Sequence, residues 1–386
     1  MTENSCTGNN LNAAACELLE RESERLGLVF AGAAGEETDR NFLSEYGRWL
    51  DEGCAGEMGY LREHFPLLRN ASSVLPGAVS VLLFALPWPL PGLEYPAGNG
   101  FISSYARGRD YHKVMRSKLR DIIRSLSPLY PGASFRAAAD SAPVPEVEKA
   151  AETNFGRRGR SSLLISERQG SAFFLGEIIT DAFIRKSFPE PADPCRGCDR
   201  CLRRCPGHAI RGDGFIDARK CLSYLTIEFH GTFTDAESSS IGGRVYGCDE
   251  CLLSCAWNRR RKVSSFVSGC RERGALLTLA LREELLLSEE EFLTLTEGSA
   301  IRRIGWLQWL RNTACAMGNI SRDPEDIPAL ESRLGLSVPL DAEIRRARSR
   351  EQRPPSACLR FLELFYIFLT VSSRIFAIIP KAFGCM

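Results

Sequence analysis

The sequence lacks several features by which common classes of protein are recognised. No G-x-G-x-x-G motif follows a predicted strand, which excludes the usual flavin or nicotinamide fingerprint. The formal net charge is only +1, so any surface for nucleic acid must be a local basic patch. The N-terminus has no basic start and no apolar run, so we expect no signal peptide and a cytoplasmic location.

Histidine is also scarce. The chain contains four, which are His64, His112, His208 and His230. A corrinoid site with a histidine ligand is typically marked by D-x-H-x-x-G. Asp110-Tyr111-His112 begins this pattern, but Met115 occupies the position of the glycine. The motif is absent, and a corrinoid in this protein would lack a histidine ligand of that type.

Cysteine, in contrast, is abundant and patterned. The run C-x2-C-x2-C-x3-C-P between Cys195 and Pro206 is typical of bacterial ferredoxins, in which the fourth cysteine ligates a second cluster. Further cysteines at 221, 248, 251 and 255 would complete the ligation, so we predict two 4Fe–4S clusters with crossed ligands. One cluster would be held by Cys195, Cys198, Cys201 and Cys255. The other would be held by Cys205, Cys221, Cys248 and Cys251.

Two other interpretations of these cysteines are disfavoured. Zinc also binds Cys-x2-Cys pairs, and eight cysteines could close two four-ligand sites. The x2-x2-x3-Pro run is, however, more typical of a ferredoxin. A disulfide framework is typical of short secreted chains, whereas this chain has 386 residues and its thiol pattern indicates metal binding.

The first 190 residues alternate predicted strands and helices, which indicates an α/β domain. An almost continuous apolar run at residues 79–86 is typical of a strand buried on both faces. Residues 162–166 and 172–180 are predicted to form a hairpin. Helices are predicted at residues 111–126 and 146–152, among others.

The rest of the chain divides into three parts. Residues 191–262 carry the cysteines, and residues 263–350 show short helix pairs that suggest a small α-solenoid. Ser288 and Glu291 predict a capping box. The tail at 351–386 is apolar but interrupted by charges, which favours an amphipathic or docked helix over a membrane span; an end altered by a frame slip is the third alternative.

Asp140 is the carboxylate that the sequence singles out. It ends a predicted strand at residues 135–140, after three alanines, and Ser141-Ala142-Pro143 follows it. The structural interpretation is a turn or N-cap aspartate. The functional interpretation is a general acid that apolar surroundings keep protonated. The residues alone leave both open.

Basic and aromatic residues follow the cysteine region. They are Arg259, Arg260, Arg261, Lys262, Arg302, Arg303 and Arg311, with Trp306 and Trp309 between the last two groups. Such residues usually form solvated faces and helix contacts. They would also suit RNA, with arginines on phosphates and tryptophans stacked on bases.

Taken together, these motifs resemble the epoxyqueuosine reductase family from about residue 49 to residue 319. The resemblance rests on the eight cysteines and on further segments, which are Asp140-Ser141-Ala142-Pro143, Gly176-Glu177-Ile178, residues 217–228, residues 246–251, Arg311-Asn312 and Met317-Gly318-Asn319. It implies an α+β multidomain protein. Its parts would be a nitroreductase-like α/β cobalamin domain (1–190), a bacterial two-cluster ferredoxin domain (191–262), a C-terminal α-helical HEAT-like tRNA-binding domain (263–350) and a tail of unknown role (351–386).

The resemblance also implies the reaction. The protein would reduce epoxyqueuosine to queuosine at the wobble position of a tRNA with a GUN anticodon. Two 4Fe–4S clusters would pass electrons to cobalamin from a low-potential donor of the flavodoxin or ferredoxin type, and Asp140 would donate the proton. A cytoplasmic monomer without stable membrane insertion is expected. The residues implied at the corrin are Asp140, Arg160, Ser161, Ser162, Gly176, Glu177, Ser223, His230, Cys248 and Asp249.

Some positions depart from the family pattern, and two other functions compete. Arg157 and Arg160 replace a tryptophan and a lysine, and Ala256 replaces a proline after the last cysteine. One rival is another corrinoid iron–sulfur reductase of the reductive dehalogenase type, although those enzymes are commonly exported with a twin-arginine signal that is missing here. The other is a non-catalytic iron–sulfur electron carrier. Corrin absorption in the reconstituted protein would separate an enzyme from a carrier.

Overall fold

The computed structural model describes residues 3–90, 98–261, 274–321 and 323–351. Residues 352–386 of the predicted tail, and Lys262 of the basic run, lie outside these ranges. Within them, no helix combines the length and the apolar character needed to cross a membrane.

The first region surrounds a central sheet with helices. Its helices are α1 (Glu3–Leu26), α2 (Arg40–Asp51), α3 (Tyr60–His64), α4 (Tyr111–Leu126) and α5 (Glu146–Glu152). Its strands are β1 (Val29–Gly35), β2 (Ser80–Pro87), β3 (Phe101–Ile102), β4 (Phe135–Ala138), β5 (Arg157–Arg158), β6 (Leu164–Ile165) and β7 (Phe173–Thr180). The predicted bounds of α4 and α5 are confirmed.

The central sheet has the order β1-β2-β7-β4, and each neighbouring pair is antiparallel. Every residue of β2 and β7 is buried, as the apolar run at 79–86 predicted for β2. The predicted pairing of the two strands as a hairpin is wrong, although the chain does turn back between them, where the backbones of Ser166 and Gly170 exchange two hydrogen bonds. β6 pairs with β5, whereas the wholly buried β7 lies between β2 and β4, where both of its edges are hydrogen-bonded.

The cysteine-rich region consists of short helices around one strand. These are α6 (Arg200–Arg204), α7 (Leu222–Ile227), α8 (Asp235–Ile241), β8 (Arg244–Tyr246), α9 (Glu250–Ser254) and α10 (Ala256–Arg260). β8 pairs in parallel with β3 of the first region. Beside this ladder, the buried carboxylate of Asp249 accepts hydrogen bonds from the Ser103 hydroxyl and, at 2.8 Å, from the backbone N–H of Ser104. The two regions are therefore joined by backbone and side-chain bonds.

The last region is helical. Its helices are α11 (Gly274–Leu277), α12 (Leu281–Leu286), α13 (Glu289–Leu295), α14 (Gly305–Ile320), α15 (Asp326–Glu331) and α16 (Val338–Glu351). α14 packs along α16, and Trp309 of α14 is wholly buried. The predicted capping box at α13 is confirmed, because the N–H of Glu291 donates to Ser288 Oγ at 3.2 Å and the N–H of Ser288 donates to Glu291 Oε2 at 2.7 Å.

Arg311 of α14 has a structural position. Its side chain lies in the interior, with the residue 1% exposed, and its guanidinium donates to the carbonyl oxygens of Phe229 at 2.7 Å, Gly231 at 2.9 Å and Leu225 at 3.0 Å. These carbonyls belong to the cysteine-rich region. The predicted phosphate contact at Arg311 is therefore wrong, because the charge is buried against carbonyls. The stacking of RNA on Trp309 is excluded by its burial in the same way.

We predict that Arg311→Met lowers the free energy of unfolding by about 2–4 kcal/mol, because charge-assisted hydrogen bonds are lost and buried carbonyls are left unpaired. Thermal unfolding of the cluster-loaded protein would measure the effect as a lower midpoint. The matched control is Arg302→Met, at an exposed arginine of the same region. Equal midpoints for the two variants would contradict the structural role.

Candidate active site and cluster centres

Asp140 lies two residues beyond β4 in a tight turn. Its φ of 62° falls in the left-handed region, which residues other than glycine adopt infrequently and often at functional sites. Its backbone N–H donates to Oε1 of Glu146, the first residue of α5, at 2.6 Å. Glu146 therefore holds the turn, and the Asp140 side chain reaches the start of α4.

The first two residues of α4 contact the Asp140 carboxylate. Nε2 of His112 lies 2.9 Å from Asp140 Oδ2, and the Tyr111 hydroxyl donates to the same oxygen at 3.2 Å. On its other side, Nδ1 of His112 lies 2.7 Å from Oδ1 of Asp110, which also caps α4. The Tyr111 ring stacks on Phe174, with centroids 3.9 Å apart. The imidazole is thus fixed between two carboxylates.

This arrangement sets the charges. The hydrogen bond from His112 lowers the pKa of Asp140, burial opposes it, and the charge of His112 and the Tyr111 hydroxyl lower the pKa further. Burial lowers the pKa of His112, but its bonds to Asp110 and Asp140 outweigh burial and raise the pKa to about 9. At neutral pH the pair is an imidazolium and a carboxylate. The expectation of a carboxyl kept protonated by apolar surroundings is wrong.

A second pair of carboxyl groups lies behind the turn. Glu177 of β7 is wholly buried, and neither of its carboxyl oxygens has a hydrogen-bond donor among the described residues. Burial raises the pKa of Glu177 well above its ordinary range, and neighbouring Glu146 raises it further. A neutral Glu177 can donate its own proton to Glu146, which satisfies both groups.

A cavity of about 370 Å³ lies against Asp140. Ser162 of the first region lines it, together with Phe215 and Ile216 of the cysteine-rich region. The helical region also approaches, since Arg303 pairs with Glu228 at 2.8 Å and its charge helps to lower the pKa of Asp140. All three regions therefore meet around this carboxylate.

The cluster-motif thiols form two groups. Burial is the largest cause that raises the pKa of Cys195, Cys201, Cys221, Cys248 and Cys251, and for each of them thiolates of its own group raise the pKa further. One group contains Cys195, Cys198, Cys201 and Cys255. The other contains Cys205, Cys221, Cys248 and Cys251. Cys205 directly follows α6, and Cys255 directly follows α9. Each of these two cysteines therefore belongs to a different group from the cysteines that precede it in its own sequence motif. The grouping has the same membership as the crossed ligation that the spacing predicts.

The surroundings of these thiols suit a multi-iron cluster. Burial raises the pKa of Cys201 and of Cys248 to about 11, so thiolates at these positions need a bound cation. In the part of the chain that the structure describes, no three His, Cys, Asp or Glu side chains lie close enough to hold one metal ion.

The other residues implied at a corrin take different positions. Arg160, Ser161 and Ser162 lie in the loop between β5 and β6, and the N–H of Arg160 donates to Cys195 Sγ at 3.4 Å. Ser223 lies on α7, and His230 is exposed.

The remaining implied residues face the interior. A Cβ at Gly176 would lie 2.5 Å from the Met115 side chain, Glu177 is buried, and the Asp249 carboxylate is bonded to Ser103 and Ser104. Gly176, Glu177 and Asp249 therefore lie in the packed interior behind the site.

Sequence reasoning missed His112, Tyr111 and Glu146. Asp110-Tyr111-His112 begins a corrinoid motif that Met115 breaks, and that pattern predicts no other role for the histidine. The usable signal was simpler, since an aspartate two residues before a histidine at a predicted helix start can cap the helix and bind the imidazole at once.

Comparisons with known proteins agree with this arrangement. Residues 194–258 match a family model described as "4Fe-4S double cluster binding domain". Residues 69–141, which end just past Asp140, match the model "Epoxyqueuosine reductase QueG, DUF1730". The chain therefore contains a double-cluster domain of the 4Fe–4S type next to the turn that carries Asp140.

Similar proteins and structures carry the same name. The epoxyqueuosine reductase of Salmonella typhimurium is 38% identical over 82% of this chain and 83% of its own, and that of Escherichia coli is 37% identical over 82% and 84%. The Bacillus subtilis enzyme, solved with its catalytic aspartate loop swung out of the active site, has a TM-score of 0.78 at 21% identity and covers 89% of this chain and 92% of that one. An epoxyqueuosine reductase solved with an epoxyqueuosine-modified tRNA stem loop has a TM-score of 0.75 at 20% identity over 89% and 100%. From the similarity along most of both chains, this protein belongs to the epoxyqueuosine reductase family, a family of oxidoreductases.

Proposed function

We propose that this protein reduces epoxyqueuosine to queuosine in the anticodon of tRNA. The observation that carries the proposal is the position of Asp140, which faces one cavity together with residues of the double-cluster region. An acid beside an electron-transfer domain is what the reaction requires, since two electrons and two protons convert the epoxide into an alkene and water. The bound tRNA of the related structure supports the substrate class.

We propose cobalamin as the group that joins the clusters to the substrate. The cavity fits part of such a group, because it is open, has an apolar wall with Phe215 and Ile216, and carries the polar groups of Asp140 and Ser162. When bound, cobalamin would supply a strongly reducing metal centre. The residues that would hold it are Asp140, Arg160, Ser161, Ser162, Ser223, His230 and Cys248, with Gly176, Glu177 and Asp249 behind them.

Each of the three regions has its own proposed role. Residues 1–190 would be a nitroreductase-like cobalamin domain, residues 191–262 the two-cluster domain, and residues 263–350 a HEAT-like domain that binds tRNA. A flavodoxin- or ferredoxin-type protein would supply electrons to a cytoplasmic monomer. The chain's own contribution at the reacting end is to orient the epoxide beside Asp140, deliver a proton to its oxygen, and keep bulk water from the reductant.

A pure electron carrier is the second candidate. It would need the clusters but no acid, and the fixed Asp110–His112–Asp140 arrangement at a cavity argues against it. Absorption spectra of the anaerobically reconstituted protein with added cobalamin separate the two. Clusters without retained corrin would favour the carrier.

We predict that Asp140→Asn lowers conversion of epoxyqueuosine in tRNA by about 10²-fold or more, the scale of general acid catalysis. Asparagine keeps the size and much of the hydrogen bonding but cannot pass on a proton. Nucleoside analysis of treated tRNA measures conversion, and iron content and tRNA affinity serve as controls that should not change. Wild-type conversion would place the acid elsewhere.

We predict that Cys205→Ser removes one cluster and leaves the spectrum of the other largely intact. The wild-type chain should bind about eight iron and eight sulfide per protein, as two four-iron clusters require. Cys54→Ser, at a buried cysteine outside both groups, is the matched control. Stable zinc without iron uptake would contradict the cluster assignment.

We predict that Arg302→Glu weakens tRNA binding and makes it less sensitive to salt, because each phosphate contact releases counterions. Arg302 is exposed next to Arg303 at the approach to α14. Affinity would be measured at several salt concentrations, with Arg124→Glu at an exposed arginine of α4 as the control. An unchanged affinity and salt slope would remove Arg302 from the interface.

A further inference from the structure

The Asp140 carboxylate is ionised before the substrate binds, so the proton that it passes on must be held by a neighbour. Two side chains donate to it, His112 and Tyr111. Burial and the nearby Asp140 charge raise the pKa of Tyr111 far above its ordinary value, so the phenol keeps its proton. His112 is the remaining candidate, and the 2.9 Å contact makes the transfer direct.

We infer that His112 is a positioning residue that stores the reaction's proton, with Asp110 holding the imidazole so that Nε2 faces Asp140. The inference rests on the proposed reduction and deepens it. Asp140 stays the group that meets the substrate, and His112 acts through it.

The geometry supports a role for His112 in holding a proton, and not only a role in packing. His112 stands at the N-terminus of α4, where the helix dipole disfavours a cation. The Asp110 carboxylate offsets this, since it contacts Nδ1 at 2.7 Å and accepts the backbone N–H of His112 at 3.1 Å. The side chain is 20% exposed, which leaves solvent access for reloading. A histidine needed only for packing would not require a carboxylate at each nitrogen.

The proton transfer balances without any redox change at these residues. The Nε2–H bond of the imidazolium breaks as an O–H bond forms on Asp140 Oδ2. That O–H bond then breaks as the first of the reaction's two protons reaches the epoxide oxygen. After His112 is reloaded, the same route delivers the second proton, so the oxygen leaves as water. Neutral His112 regains a proton from water, and the electron pair comes from the low-potential reductant of the proposed reaction.

Other titratable groups surround this unit and contribute to its charge. They are Tyr60 of α3, Asp110, Tyr111 and Lys113 at the start of α4, Glu146 of α5, Glu177 of β7, Tyr246 of β8 and Arg303 of the helical region. Since the pKa of His112 is raised to about 9, the store is loaded below that pH and empties as the pH rises through it.

The first test is the pH dependence of a single turnover, with pre-reduced protein and epoxyqueuosine-containing tRNA. Wild-type conversion should fall as the pH rises through about 9. His112→Gln can still donate a hydrogen bond but stores no proton, so Asp140 must be protonated from water. The fall in rate with rising pH should therefore move to a pH well below that of the wild type, and the rate at neutral pH should be about 10²-fold lower.

The matched control is Tyr111→Phe. It removes the other hydrogen bond to Asp140 Oδ2 but no proton that titrates in this range. Its fall in rate should stay near pH 9, whatever its absolute rate. A His112→Gln profile that falls at the wild-type pH, or a wild-type rate in that variant, would overturn the inference.

The second test reads the proton directly. The chain has four histidines, so the His112 signal in the NMR spectrum of histidine-labelled, cluster-loaded protein is identified by its loss in His112→Gln. It should titrate near pH 9, and nearer the ordinary 6.5 in Asp140→Asn. A titration of the His112 signal near the ordinary pH of 6.5 in the wild type would overturn the inference. A protein that passes this test but converts no epoxyqueuosine would fail the proposed function alone.

Discussion

The contact between the His112 imidazole and the Asp140 carboxylate is the interaction on which the site depends. It turns the carboxyl expected from the sequence into half of an ion pair. The pair is anchored by all three regions, since the N–H of Asp110 donates to the Gly298 carbonyl at 2.8 Å and Arg303 pairs with Glu228 beside it. A displacement of the helical region would therefore move the start of α4, and it would move the Arg303 charge that helps to lower the pKa of Asp140.

Buried polar contacts set the positions of the regions. Arg311 is bonded to carbonyls of the cysteine-rich region, and Asn312 donates to the carbonyls of Thr226 at 2.8 Å and Val245 at 2.9 Å. The Asp249 carboxylate joins two regions in the same way, by accepting hydrogen bonds from the Ser103 hydroxyl and the Ser104 backbone N–H. Such bonds are directional, and a buried group that loses its partner costs about 1–3 kcal/mol. They favour one orientation of the regions, which is what fixed electron and proton paths need.

Local patterns carried much of the fold and part of the site. The helix starts of α4 and α5, the buried β2 and the capping box of α13 follow from residues that are neighbours in sequence. The cysteine spacing predicts the clusters for the same reason. The environment of Asp140 could not be predicted, because His112 lies 28 residues away and meets it only through the left-handed turn. The burial of Arg311 could not be predicted for the same reason, since its carbonyl partners lie 80 to 86 residues earlier.

Glu146 gives the site a further dependence on charge. Burial raises its pKa to about 7, and the negative charge of Asp140 adds to this effect. The influence is mutual, because two nearby carboxylates raise each other's proton affinity. When Glu146 loses its proton near neutral pH, Asp140 must bind a proton more readily, which favours transfer from His112. Glu177 remains neutral behind them, so the buried pair carries at most one negative charge there. The proton on the acid is therefore governed from both sides, by a cation on α4 and by a carboxyl group on α5.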